Sequence, residues 1–135
     1  MTQRRIQVVA ALLWRGDAVL VQQRRAGSAR GLLWEFPGGK VEPGETEAQA
    51  LERECREELG VQVRAGEVLH RTRHAYEDLD VELALLRCEL NSGEPRPLHA
   101  QDVRFVAVPG LAQLPFSDAD KAFIALLAKG KLAPK

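Results

Sequence analysis

This chain of 135 residues contains two cysteines, one methionine and one tyrosine, and its aromatic content is only 5%. So little cysteine excludes a disulfide-stapled scaffold. Cys55 and Cys88 lack metal-site spacing and sit among apolar neighbours, as expected for buried free thiols of a reducing cytoplasm. No apolar stretch approaches the ~18 residues needed to span a bilayer, so no membrane association is expected. Arg4-Arg5 ahead of the apolar run Ile6–Trp14 resembles a secretory leader, but Arg15-Gly16-Asp17 follows in place of a cleavage site. Net charge is also missing: 19 Lys plus Arg balance 19 Asp plus Glu. A neutral chain is poorly suited to a nucleic-acid polymer, whereas a small anionic ligand in a local site remains compatible. Internal repeats and low-complexity segments are absent.

What is there fits one soluble domain over residues 1–130, with residues 131–135 as a flexible tail frayed from Gly130 onward. A chain this long buries roughly two-thirds of its unfolded surface, enough for a core without staples. Apolar, β-branched runs predict strands at Ile6–Leu13 and Ala18–Arg24 around a Gly16-Asp17 turn, then at Trp34–Phe36, Val61–Val63, Val68–Arg73, Asp80–Glu89 and Arg104–Val108. Lys40 to Gly44 reads as a tight loop. Thr46-Glu47-Ala48-Gln49 has the form of a capping box opening a helix over Ala48–Leu59, with Gly60 as its left-handed stop. A second helix is predicted from Phe116-Ser117 to Leu127, capped by Ser117.

On a helical wheel Ala48, Leu51, Cys55 and Leu59 share one stripe, which must face the core. Glu54, Glu57 and Glu58 occupy the adjoining arc at spacings of three and four, so their carboxylates converge, and Glu45 can approach the same place. Like charges so spaced repel by a few tenths of a kcal/mol per pair. Hard carboxylate oxygens suit Mg²⁺, with Mn²⁺ an alternative, and a divalent cation would offset that repulsion. A solvated face pairing with Arg53 and Arg56 is the other reading of the helix alone.

The wider pattern runs from Gly39 across five residues to Glu45, then across seven to Arg53-Glu54-Cys55-Arg56-Glu57-Glu58-Leu59-Gly60-Val61. It resembles the Nudix box, Gly-x5-Glu-x7-Arg-Glu-U-x-Glu-Glu-x-Gly-U with U apolar, and every fixed position matches, Cys55 standing as a small apolar filler. Trp34-Glu35-Phe36-Pro37-Gly38-Gly39-Lys40-Val41-Glu42 is similar to the approach to the box in MutT-like members. The resemblance implies an α/β (α+β) fold, an α/β/α sandwich with a mixed sheet, in a monomer or homodimer of the cytoplasm. It implies a metal-dependent hydrolase in which Glu54, Glu57, Glu58 and the Gly38 carbonyl hold the metal and Arg53 steadies the carboxylates. Gly39 and Gly60 suit ends of the box that need unusual dihedrals or close packing. The substrate implied is a small nucleoside triphosphate, cleaved to the monophosphate and pyrophosphate.

Some relatives carry a glutamate before the last strand as base or extra ligand. His99 stands there in this chain with Asp102 nearby, either a base or an exposed loop residue, and Glu54 is the preferred base-or-ligand. By the same resemblance Arg25 lies near the phosphates, Gly38, Gly39 and Lys40 face the substrate, and Phe36 and Tyr76 offer aromatic walls. Asp118, with Asp120 close by, matches the segment that reads the base edge; both are also candidates for helix capping. The substrates implied are 8-oxo-dGTP, in sanitation of the nucleotide pool for DNA replication and repair, or alternatively CTP and dCTP. A non-catalytic nucleotide sensor is disfavoured by the intact glutamate set.

Overall fold

A computed structural model describes residues 4–132. Seven strands build one mixed sheet: β1 (Arg5–Arg15), β2 (Ala18–Gln23), β3 (Trp34–Glu35), β4 (Gly38–Lys40), β5 (Gln62–Ala75), β6 (Asp80–Ser92) and β7 (Asp102–Ala107). Helix α1 spans Glu47–Leu59, a short helix α2 spans Val108–Leu111, and α3 spans Lys121–Ala128 after a 3₁₀ turn at Asp118–Asp120. The strand order is β3-β2-β1-β6-β5, with β4 added to β1 and β7 to β2. Only β1 and β6 run parallel; the other pairs are antiparallel.

β1 is central and apolar on both faces, as a strand covered from two sides must be. Val9, Ala11 and Leu13 pack with Leu51, Cys55 and Leu59 of α1. Ala10 and Leu12 belong to the opposite core with Phe116, Phe123 and Leu127. The helix-on-each-face sandwich follows from this two-sided burial, and Cys55 and Cys88 are buried free thiols within the α1-side core.

α1 begins and ends as its sequence dictates. The Gln49 amide nitrogen donates to Thr46 Oγ1 at 3.1 Å, and the Thr46 nitrogen donates to Gln49 Oε1 at 3.0 Å. Gly60 closes the helix at φ 70°. The buried stripe is Ala50, Leu51, Cys55 and Leu59; Ala48, expected there, is only half-buried.

Elsewhere pairing overrides local signals. The two strands expected on either side of Gly66 are one strand, β5, because β6 pairs along its whole length and absorbs the interruption in register shifts between Ala65 and Val68 and between Val68 and His70. Gly38–Lys40, expected as turn and loop, is β4, paired to Val8–Ala10 of β1. Glycines mask a strand signal, yet here they permit the approach: a Cβ on Gly38 would run into the Val9 carbonyl. Phe116 and Ser117 do not open the second helix. Phe116 bridges to Trp34 and the Ser117 nitrogen donates to the Trp34 carbonyl at 2.9 Å, so α3 starts later and the Ser117 side chain makes no capping bond. The expected fraying at Gly130 is also corrected as far as Leu132: the Lys131 nitrogen donates to the Leu126 carbonyl at 3.0 Å, and Leu132 packs on the core. The rest of that segment, residues 133–135, lies outside the described residues.

Candidate active site

α1 carries its glutamates at three depths. Glu57 has a half-exposed side chain, Glu54 retains 15% of its exposure, and Glu58 has an oxygen, Oε1, buried with no hydrogen-bond partner. Burial, followed by the nearby charges of Glu54 and Glu35, pushes the Glu58 carboxyl up to about 8. Burial likewise raises Glu54, against the opposing pull of Arg53.

Arg53 organises this group. Its Nε and Nη2 donate to the two oxygens of Glu45 at 2.7 and 2.9 Å, Nη1 donates to Glu54 at 2.8 Å, and Nη2 also reaches the Lys40 carbonyl at 3.0 Å. The fork–fork pairing with Glu45 holds that carboxyl down to about 2. Glu45 is thus a partner of Arg53 rather than a member of the glutamate group. Glu57 reaches the same Arg53 Nη1 at 3.4 Å, so Glu54 and Glu57 meet on one guanidinium nitrogen. Among the described residues no three His, Cys, Asp or Glu side chains lie in metal-holding proximity.

Gly39 explains why the box opens on a glycine. A Cβ there would overlap the Glu54 carboxylate, so the missing side chain is the space that Glu54 occupies.

Beside this group runs a cleft of about 370 Å³, lined by Gly38, Gly39 and Lys40, by Arg24 and Glu35, and farther along by Phe36, Tyr76 and Asp120 among others. Six of the eight residues expected on the substrate side therefore line one cavity: Phe36, Gly38, Gly39, Lys40, Tyr76 and Asp120. Two do not. Arg25 turns away and donates to the Leu98 carbonyl at 3.2 Å. Asp118 is exposed, paired with Lys121 at 2.7 Å and 3.8 Å from His74. Its place in the cleft is taken by Asp120, which is 5% exposed and accepts the Phe36 backbone N–H at 3.1 Å. Burial raises the Asp120 carboxyl well above the ordinary range. Asp120, which precedes α3, makes no side-chain capping bond to it.

The loop ahead of β7 docks on the end of α1 through its backbone, the Leu98 nitrogen donating to the Glu58 carbonyl at 3.1 Å. His99 itself is exposed. Both Asp102 oxygens are engaged, by the Val103 nitrogen and by Arg104 Nε, each at 2.8 Å.

Arg24, Arg30, Glu35 and Asp78 line the cleft but escaped the reading of the sequence. Arg24 and Gln22 both bond Glu35, at 3.1 Å each, and Glu35 in turn bears electrostatically on Glu58 and Asp120. The signal was period-two parity, which puts Arg24, not Arg25, on the face of Gln22. Arg30 carried no signal, being a lone cation in a loop of small residues.

Residues 8–126 match the NUDIX domain. The chain belongs to the Nudix family. It is a hydrolase acting on phosphorus-containing anhydrides, as its Nudix relatives indicate. It is 38% identical over 126 residues to the "Putative 8-oxo-dGTP diphosphatase 2" of Mycobacterium tuberculosis strain H37Rv, covering 90% of this chain and 87% of that protein. It is 55% identical over 62 residues to the "CTP pyrophosphohydrolase" of Escherichia coli K12; that match spans 46% of each protein, less than half the length of either. The solution structure of the E. coli ORF135 protein superposes with a TM-score of 0.77 at 34% identity, covering 97% of this chain and 96% of that one. Nudix hydrolases generally use divalent metals. The donors here fit such an ion: they are hard carboxylate oxygens, and one of them, Glu58 Oε1, is buried without a partner. No helix among the described residues is long and apolar enough to cross a membrane.

Proposed function

We propose that this Nudix hydrolase cleaves 8-oxo-dGTP to 8-oxo-dGMP and pyrophosphate, in nucleotide-pool sanitation, with Mg²⁺ or Mn²⁺ held by Glu54, Glu57, Glu58 and the Gly38 carbonyl. The observation that carries this reading is the cleft itself, which abuts Glu54 through Gly39 and holds the buried Asp120 carboxyl farther along. The metal, when bound, neutralises phosphate charge and acidifies the attacking water.

The chain's own residues supply the rest. Arg53 fixes Glu54 against Gly39 and ties Glu45 and the Lys40 carbonyl to the same guanidinium. Glu54 takes the proton of the attacking water; the water oxygen bonds to one of the two phosphorus atoms flanking the α–β bridging oxygen as that atom's bond to the bridging oxygen breaks, and the bond's electron pair leaves on the bridging oxygen of the other fragment. Arg24 and Lys40 contribute positive charge along the cleft.

Asp120 reads the base. Its carboxyl lines the cleft, accepts the Phe36 N–H and is pushed well above the ordinary carboxylate range by burial. Asp120→Ala is therefore expected to reduce the ratio of kcat/KM between the preferred nucleotide and its competitors by about tenfold, one hydrogen bond's worth of discrimination, while Asp120→Asn retains most of it. Equal losses on every nucleotide would remove Asp120 from base reading.

Likeness to the CTP pyrophosphohydrolase favours a second reading, CTP or dCTP as substrate. Pyrophosphate release from 8-oxo-dGTP, dGTP, CTP and dCTP in Mg²⁺, compared by kcat/KM, separates the two. The highest value is expected for 8-oxo-dGTP. A maximum at CTP or dCTP would establish the pyrimidine reading instead, and hydrolysis of none would overturn both.

A further inference from the structure

Tyr76 was expected to offer its ring to the base, but its surroundings leave another surface in front. The Tyr76 hydroxyl accepts the Ala119 N–H at 2.9 Å, and the His74 ring meets it edge-on with centroids 4.5 Å apart. The Arg30 guanidinium lies over the Tyr76 ring, its Cζ 4.2 Å from the centroid. Arg30 Nη1 also donates to Asp78 Oδ1 at 3.1 Å, closing a contact across 48 residues of sequence. Arg30, Tyr76 and Asp78 all line the cleft that holds Asp120.

Two further features show that this arrangement is built. The Arg30 side chain keeps only 23% of its exposure, although it sits in a surface loop. Its backbone adopts φ 57°, a left-handed conformation that a non-glycine residue rarely takes unless surrounding contacts enforce it. A delocalised, weakly hydrated guanidinium backed by an aromatic face is a planar cationic surface of the kind on which nucleobases stack.

We propose that the nucleobase stacks on the Arg30 guanidinium, with Tyr76 as its backing and Asp78 as its anchor, so that Arg30 is a specificity-determining residue of the cleft. This rests on the nucleotide reading of the same site. Flatness, not charge alone, is what the site uses: purines, with more ring area, depend on Arg30 more than pyrimidines do.

The test pairs steady-state kinetics on 8-oxo-dGTP and CTP with calorimetric binding of 8-oxo-dGMP and CMP in EDTA. Arg30→Ala should raise KM for 8-oxo-dGTP about tenfold with kcat within about twofold, and weaken 8-oxo-dGMP binding by a like factor. Losses on CTP and CMP should be smaller. Arg30→Lys should not restore either, because an ammonium is not planar. Asp78→Asn, which keeps the guanidinium but loosens its anchor, should give a smaller KM rise and stands in if Arg30→Ala melts early. Wild-type KM and binding in Arg30→Ala, or full rescue by lysine, would sink the stacking proposal while the wild type goes on hydrolysing nucleotides. A wild type that neither hydrolyses nor binds any of the four would sink the nucleotide reading, and this proposal with it.

Discussion

Replacing Glu58 by Gln should lower kcat by about 10³-fold or more at saturating Mg²⁺, several kcal/mol of barrier, while the protein stays folded. The side chain is partly buried, with Oε1 enclosed, on an α1 locked by its capping box and by Gly60, so an isosteric amide disturbs little packing. Glutamine removes the charge, however, and with it a hard ligand for a divalent ion. A stability signature accompanies the loss. The folded-state carboxyl is pushed up to about 8, so the folded protein holds its proton longer than the unfolded chain does. Stability of the metal-free wild type must therefore fall as pH rises from the ordinary carboxylate range through about 8. Glu58→Gln should flatten that slope in EDTA, and Mg²⁺ should raise the melting temperature of the wild type more at pH 8 than at pH 5, because binding displaces the proton. Melting curves against pH, with and without Mg²⁺, read both effects. A fully active Glu58→Gln enzyme would remove Glu58 from the chemistry.

Gly39→Ala should cost about 10²-fold in kcat/KM, the scale set by misplacing a reacting group by about an ångström. The added Cβ would fall inside the Glu54 carboxylate, which would have to swing away and give up its 2.8 Å bond from Arg53. Side chain rather than backbone is in the way, so the fold should survive. Contrast Gly38, where a Cβ would meet the backbone of Val9 and part β4 from β1. An unchanged circular dichroism spectrum beside a low kcat/KM is the expected pair of results for Gly39→Ala. Undiminished activity would show that Glu54 needs no fixed place against Gly39.

The α1 region was legible because its determinants are local. The capping box, the left-handed glycine and the spacing of Leu51, Cys55 and Leu59 each act within a few residues, and helical geometry converts spacing into face. The box glycines could be flagged from the chain alone, although their reasons differ: Gly60 for its dihedral, Gly39 for the carboxylate pressed against it. The first strand was legible from its unbroken apolar run Val8 to Trp14, although its central place in the sheet was not.

What the chain could not declare was decided between distant segments. Arg24 over Arg25 depended on which face of β2 meets Glu35, and Asp120 over Asp118 on how the 3₁₀ turn sits against Phe36. Arg30 gains meaning only beside Tyr76 and Asp78. The amino-acid sequence by itself determined the acidic helix, its caps and the family pattern, because these are governed by backbone geometry over one to three turns. Tertiary structure alone decided which charges line the cleft and which carboxyls burial pushes above their ordinary range, because desolvation and long-range pairing depend on what the rest of the chain brings alongside.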